Sequence, residues 1–86
     1  MGRFLVELYL SKSAERDVAA ATLRARAAAA EAEEDDLPIE CLRSIFVPEE
    51  ETWFLLYDAP TSAAVRRAVE RAGLKCPRIV DAVAPR

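Results

Sequence analysis

Phe4, Val6, Leu8 and Leu10 alternate with Leu5, Glu7 and Tyr9 at the start of the chain. A period of two marks a strand, and Ser11-Lys12-Ser13 interrupts it. From Ala14 to about Asp35 the period becomes helical: Ala14, Val18, Ala21, Ala25, Ala29 and Ala32 share one face, and Arg16, Asp17, Arg24 and Glu31 point away. Ser13 is the expected N-cap. The buried stripe of this helix is mostly alanine, so the helix can approach a sheet closely. Leu37-Pro38 ends it, because the residue before a proline disfavours the helical region.

Ile39 to Val47 alternates again. Ile39, Cys41, Arg43, Ile45 and Val47 fall on one side, and Glu40, Leu42, Ser44 and Phe46 on the other. After Pro48-Glu49-Glu50-Glu51, the β-formers of Thr52 to Asp58 give a third strand, and the short connection makes the two a hairpin. Thr61 or Ser62 caps a second helix with Val65, Ala68, Val69 and Ala72 inward and Arg66, Arg67, Glu70 and Arg71 outward. Gly73 stands where a helix-stopping glycine belongs. Arg78 to Ala84 is a weaker fourth strand. The order β-α-β-β-α-β predicts one α+β domain over residues 1–86, of the ferredoxin-like kind. Its four-stranded antiparallel sheet carries both helices on one face, in strand order 4-1-3-2.

That arrangement leaves one sheet face open. Phe4, Val6, Leu8 and Leu10 are expected to meet the helices, with Leu5, Glu7 and Tyr9 facing outward. The third strand is apolar on both sides, so parity leaves its orientation open. We place Trp53, Leu55 and Tyr57 outward, which would make the free face aromatic. An apolar patch on so small a domain marks an interaction site, and the expected partner is a second copy of the chain. Base stacking on this face is not expected: the net charge is −3, and no stretch matches the basic-aromatic signature of an RNA-recognition sheet.

Composition narrows the chemistry. Eighty-six residues bury only roughly 60% of their unfolded surface, which favours oligomerisation. Seventeen residues are alanine, two are glycine and none is histidine. No glycine-rich phosphate loop can form, and the commonest general base and metal ligand are both missing. No run approaches the ~18 apolar residues of a membrane span. The N-terminus shows no secretory leader, so the expected location is the cytoplasm with Cys41 and Cys76 reduced. The opposite sheet edges expected for their strands put an intrachain disulfide out of reach. The acidic runs Glu31 to Asp36 and Glu49 to Glu51 read as a solvated helix end and turn, or as a docking surface for a basic partner.

Glu7 lies among apolar neighbours, and a carboxylate there must be paired or shifted. It is either a general acid/base or ligand-orienting group in a cleft roofed by Trp53 and Tyr57, or one half of a structural salt bridge, for example with Arg43 or a residue of a dimer mate. Tyr9, Trp53 and Tyr57 are candidate interface aromatics. Ser44 is a strand hydroxyl with no histidine to activate it.

Phe4-Leu5-Val6-Glu7, Arg43-Ser44, Leu56-Tyr57-Asp58-Ala59-Pro60, Val65-Arg66-Arg67-Ala68 and Arg71-Ala72-Gly73-Leu74 together resemble a family of small ferredoxin-like proteins of unassigned function, described as nickel-binding or nickel-responsive. The resemblance implies a cytoplasmic ferredoxin-like dimer, with Glu7, Ser44 and Tyr57 as candidates to line its cavity. Two departures count against the metal. A nickel-binding member should carry histidine ligands, and here there are none. The family's cysteine two residues before the strand-three tyrosine is Leu55 here. Nickel binding is therefore not carried over, and no metal or cofactor is expected. The reading is a small homo-oligomer, expected as a dimer, that binds a small ligand or partner at its open face through Glu7, Tyr9, Arg43, Ser44, Trp53, Leu55 and Tyr57. A cofactor-free dimeric α+β barrel enzyme of isomerase or oxygenase type using Glu7 is the first alternative. A nickel-binding protein is the second.

Overall fold

A computed structural model describes residues 2–34, 38–75 and 77–83. Strand β1 spans Gly2–Tyr9, helix α1 Val18–Glu34 and strand β2 Glu40–Val47. Strand β3 spans Thr52–Ala59, helix α2 Ser62–Arg71 and strand β4 Arg78–Ala82. The strands form one antiparallel sheet in the order β2-β3-β1-β4. Both helices pack on one side of it, their alanines and valines merging with Phe4, Val6 and Leu8 in a single core. The expected α+β ferredoxin-like fold is the one observed.

The first helix starts later than its periodicity suggests. Lys12–Asp17 is a 3-10 segment capped by Ser11, whose side chain accepts from the Ser13 N–H at 3.3 Å. None of its six residues is buried, so nothing in the core holds this stretch to α geometry. The α-helix begins only at Val18, and from there Ala21, Ala25, Ala28, Ala29 and Ala32 are buried. The expected end at Asp35 lies outside the described residues.

The second helix follows its sequence signals. The Thr61 hydroxyl accepts from the Ala64 N–H at 3.2 Å. At the other end Gly73 takes a φ of 79°. Its N–H meets the Glu70 carbonyl, and the Leu74 N–H meets the Val69 carbonyl. This is a Schellman closure, which satisfies carbonyls a helix end would otherwise leave open. Glycine enters the left-handed region without a Cβ penalty.

The hairpin turn is held by a residue that sequence reading treated as solvated charge. Glu51 sits in the left-handed region at φ 47°. Its carbonyl accepts from the Leu10 N–H, and its carboxylate accepts from the Lys12 N–H at 2.9 Å and the Tyr9 hydroxyl at 3.3 Å. These bonds offset the strain of a left-handed non-glycine residue and tie the β2–β3 turn to the end of β1.

Two orientations differ from expectation. Trp53, Leu55 and Tyr57 point at the helices, not outward; they are 1%, 0% and 0% exposed. The register explains this: Leu8 pairs with Trp53, Val6 with Leu55 and Phe4 with Tyr57. Directly opposed residues share a face, so the inward residues of β1 carry those of β3 with them. The physical preference lies in the helix. An alanine stripe leaves volume between the layers, and the indole and phenol rings fill it to core density.

The second difference is a register shift in β2 between Cys41 and Arg43. A bulge turns the residues beyond it to the opposite side. Ile39 and Cys41 remain inward, but Ser44 and Phe46, opposite Leu55 and Trp53, join them there. Arg43 and Ile45, opposite Leu56 and Phe54, face outward.

Candidate functional site

The open face is therefore made by other residues than Trp53, Leu55 and Tyr57. Leu5 and Leu56 are paired across β1 and β3, and Val80 of β4 sits on the other side of Leu5. Phe54 and Ile45 continue the patch across β3 and β2. Ile45 is 54% exposed. No described helix covers this side, since α1 and α2 both pack on the other. The patch is aliphatic with one phenyl ring.

Charge surrounds it in opposed pairs. Arg3 lies across from Asp58, and Glu7 across from Arg78. The Glu7 carboxylate reaches the Arg78 guanidinium at 3.5 Å. This gives Glu7 the salt-bridge reading, with Arg78 as partner in place of Arg43. The cleft proposed over Glu7 is absent, because Trp53 and Tyr57 lie across the sheet from it. Beside Glu7 an open groove of about 210 Å³ is lined by Tyr9, Glu50, Glu51, Thr52 and Arg78. That is below the ~300 Å³ at which ligand pockets usually begin.

Arg43 faces outward beside the patch, while Ser44, Trp53, Leu55 and Tyr57 lie on the inner side of the sheet, toward the helices. The Trp53 Nε1–H donates to Ser44 Oγ at 2.7 Å, and Ser44 Oγ lies 2.8 Å from Thr22 Oγ1. Thr22 spends its own hydroxyl proton on the Val18 carbonyl at 2.7 Å. The Ser44 hydroxyl must then donate to Thr22, since each hydroxyl carries one proton. A directed chain results, from indole to serine to threonine to helix backbone. It satisfies the one polar atom of a buried tryptophan and fixes α1 against β2 and β3. Sequence reasoning missed Thr22, the polar residue one place after Ala21 in the stripe, which was the available signal.

Cys41 and Tyr57 form the other internal pair, directly opposite each other on β2 and β3. The Tyr57 hydroxyl is buried without a hydrogen-bond partner; the neighbouring thiol is only a weak one. Burial pushes the Tyr57 phenol well above its ordinary value, and Cys41 adds to this. Burial likewise pushes the Cys41 thiol up, against the opposing charge of Arg26. Cys41 is 6% exposed and remains a thiol at neutral pH. Cys76, and with it any statement about a Cys41–Cys76 pair, lies outside the described residues.

A metal ion would find few donors here. Among the described residues no three His, Cys, Asp or Glu side chains cluster. The Glu7 carboxylate is engaged by Arg78, and that of Glu51 by Lys12 and Tyr9. No helix among the described residues is long and apolar enough to cross a membrane.

Comparison with known proteins agrees with the fold. The crystal structure of SCO4226 from Streptomyces coelicolor A3(2) superposes with a TM-score of 0.76. The match covers 98% of this chain and 99% of that one at 21% sequence identity. No curated protein matches the sequence. The family model described as nickel responsive protein SCO4226-like matches residues 4–81. With nearly its whole length matched, from within β1 to within β4, this chain belongs to the SCO4226-like family.

Proposed function

We propose that the protein works as a homodimer closed through the open faces of two sheets, in the cytoplasm, where Cys41 stays reduced. The observation that carries this reading is the apolar patch of Leu5, Ile45, Phe54, Leu56 and Val80 on a sheet side that no described element covers. Four strands at ~4.8 Å spacing and ~3.3 Å per residue give a footprint of about 500 Å² before side-chain relief is counted. That approaches the roughly 600–1,000 Å² each partner contributes to a standard interface.

The charged rim favours a second copy over other occupants. Both signs are present in adjacent pairs, Arg3 with Asp58 and Glu7 with Arg78. A twofold partner can place each sign against its opposite. A strongly basic or acidic partner would meet repulsion along half of the rim. Any ligand would be held between the two sheets, with Glu7, Tyr9 and Arg43 at its edges, while Ser44, Trp53, Leu55 and Tyr57 support the face from behind. A cofactor-free dimeric α+β barrel enzyme using Glu7 is the weaker reading, because Arg78 holds the carboxylate.

Native mass spectrometry of the untagged protein tests the proposal. The expected species is two chains, with or without a retained small molecule. A bare single chain at about 100 µM, far above the Kd of a specific dimer, would contradict it.

A further inference from the structure

We infer that nickel coordination is not a task of this chain, although the description of its family names that metal. The residues present do not fit the ion. Nickel(II) in proteins draws on imidazole nitrogen and thiolate sulfur, with carboxylates as weaker company. The chain has no histidine among its 86 residues. Its described thiol, Cys41, faces the core opposite Tyr57 and is 6% exposed, which leaves an ion little access to it. A metal-bound thiol must also lose its proton, and burial favours keeping it on.

The carboxylates of the described residues form no group of three that could substitute. Glu7, on the open face, sits beside the guanidinium of Arg78, which repels a divalent cation. Dimerisation does not change this, since a second copy brings its own Arg78 with its own Glu7. Glu51, at the groove end, has its carboxylate turned to the Lys12 amide and the Tyr9 hydroxyl. Its loss to a metal would release the β2–β3 turn. Among the described residues the candidate donors gather in no group of three, and the fold is held by apolar packing between the layers.

The test is equilibrium dialysis of the untagged, reduced, chelator-stripped full chain against nickel chloride, because a polyhistidine tag would supply the missing ligands. Thermal unfolding is followed in parallel. The expected result is uptake that rises linearly with free nickel and never saturates. The expected midpoint shift is under about 1 °C at ~100 µM free metal; a site of ~1 µM Kd would raise it by roughly 10–20 °C. Saturation at one ion per chain overturns the inference. So does saturation at half an ion per chain, the ratio of a site shared across a dimer. Either would be located with Cys41→Ala and Cys76→Ala, while the dimer proposal rests on the apolar face and fails separately, on the mass of the metal-free chain.

Discussion

The indole N–H of Trp53 donates to the hydroxyl of Ser44 at 2.7 Å, and through Thr22 this bond joins the sheet to the first helix. Ser44→Ala leaves that buried donor without a partner. An unsatisfied buried donor costs about 1–3 kcal/mol, so the urea midpoint should fall with an unchanged m-value. Adding Trp53→Phe should cost less than the two single losses combined, because the orphaned donor disappears with the ring. Simple additivity in that cycle would show the chain of hydroxyls to be incidental.

Tyr57→Phe should behave in the opposite way. Its hydroxyl is buried and finds no hydrogen-bond partner, so removing the oxygen relieves a desolvated group and leaves the packing intact. We expect stability within about 0.5 kcal/mol of the parent, or higher. A loss above ~1.5 kcal/mol would mean that the hydroxyl has a structural partner after all.

Alkaline pH should destabilise the fold through the same pair. Cys41 and Tyr57 both hold their protons more tightly in the folded chain than in the unfolded one. Their contribution is complete below their unfolded values, 9.0 for the thiol and 10.0 for the phenol. As pH rises past these the unfolded chain loses protons first, and stability falls. Denaturation measured from pH 8 to 11 should show this decline. The double variant Cys41→Ala, Tyr57→Phe should flatten it, and an equal slope in that variant would locate the effect elsewhere.

Ala25 is 0% exposed on the stripe that faces the sheet. If the small helix face is what lets Trp53 and Tyr57 point inward, Ala25→Leu overfills the layer and costs about 1–3 kcal/mol. Ala27→Leu on the exposed side of the same helix should be nearly neutral. Equal effects at the two positions would refute the volume argument.

Much of the architecture was legible in the chain. The alternation of Phe4, Val6 and Leu8 against Glu7 and Tyr9 oriented β1, because only one side of that strand is uniformly apolar. Thr61 and Gly73 marked the ends of α2 because each supplies a specific chemistry to a helix terminus. The candidate site was less legible. In β3 the polar cue that sets parity is missing, since Phe54 and Leu56 are as apolar as Trp53 and Leu55. The usable signal was indirect: a helix face of Ala21, Ala25, Ala29 and Ala32 needs large rings opposite it. The bulge after Cys41 carries no glycine or proline to announce it, so Ser44 and Arg43 exchanged faces without a local warning. Glu51 looked like solvated charge because its role depends on Lys12 and Tyr9, far away in sequence.

Sedimentation equilibrium on the wild-type chain and on Leu56→Glu tests the central claim most directly. Leu56 lies opposite Leu5 and Arg43 on the open face, outside the core, so a glutamate there should leave the fold standing, as circular dichroism can verify. The wild type is expected at the mass of two chains, and the variant at the mass of one. A wild type that sediments as a single chain, or a folded variant that remains a dimer, would contradict assembly through this sheet face.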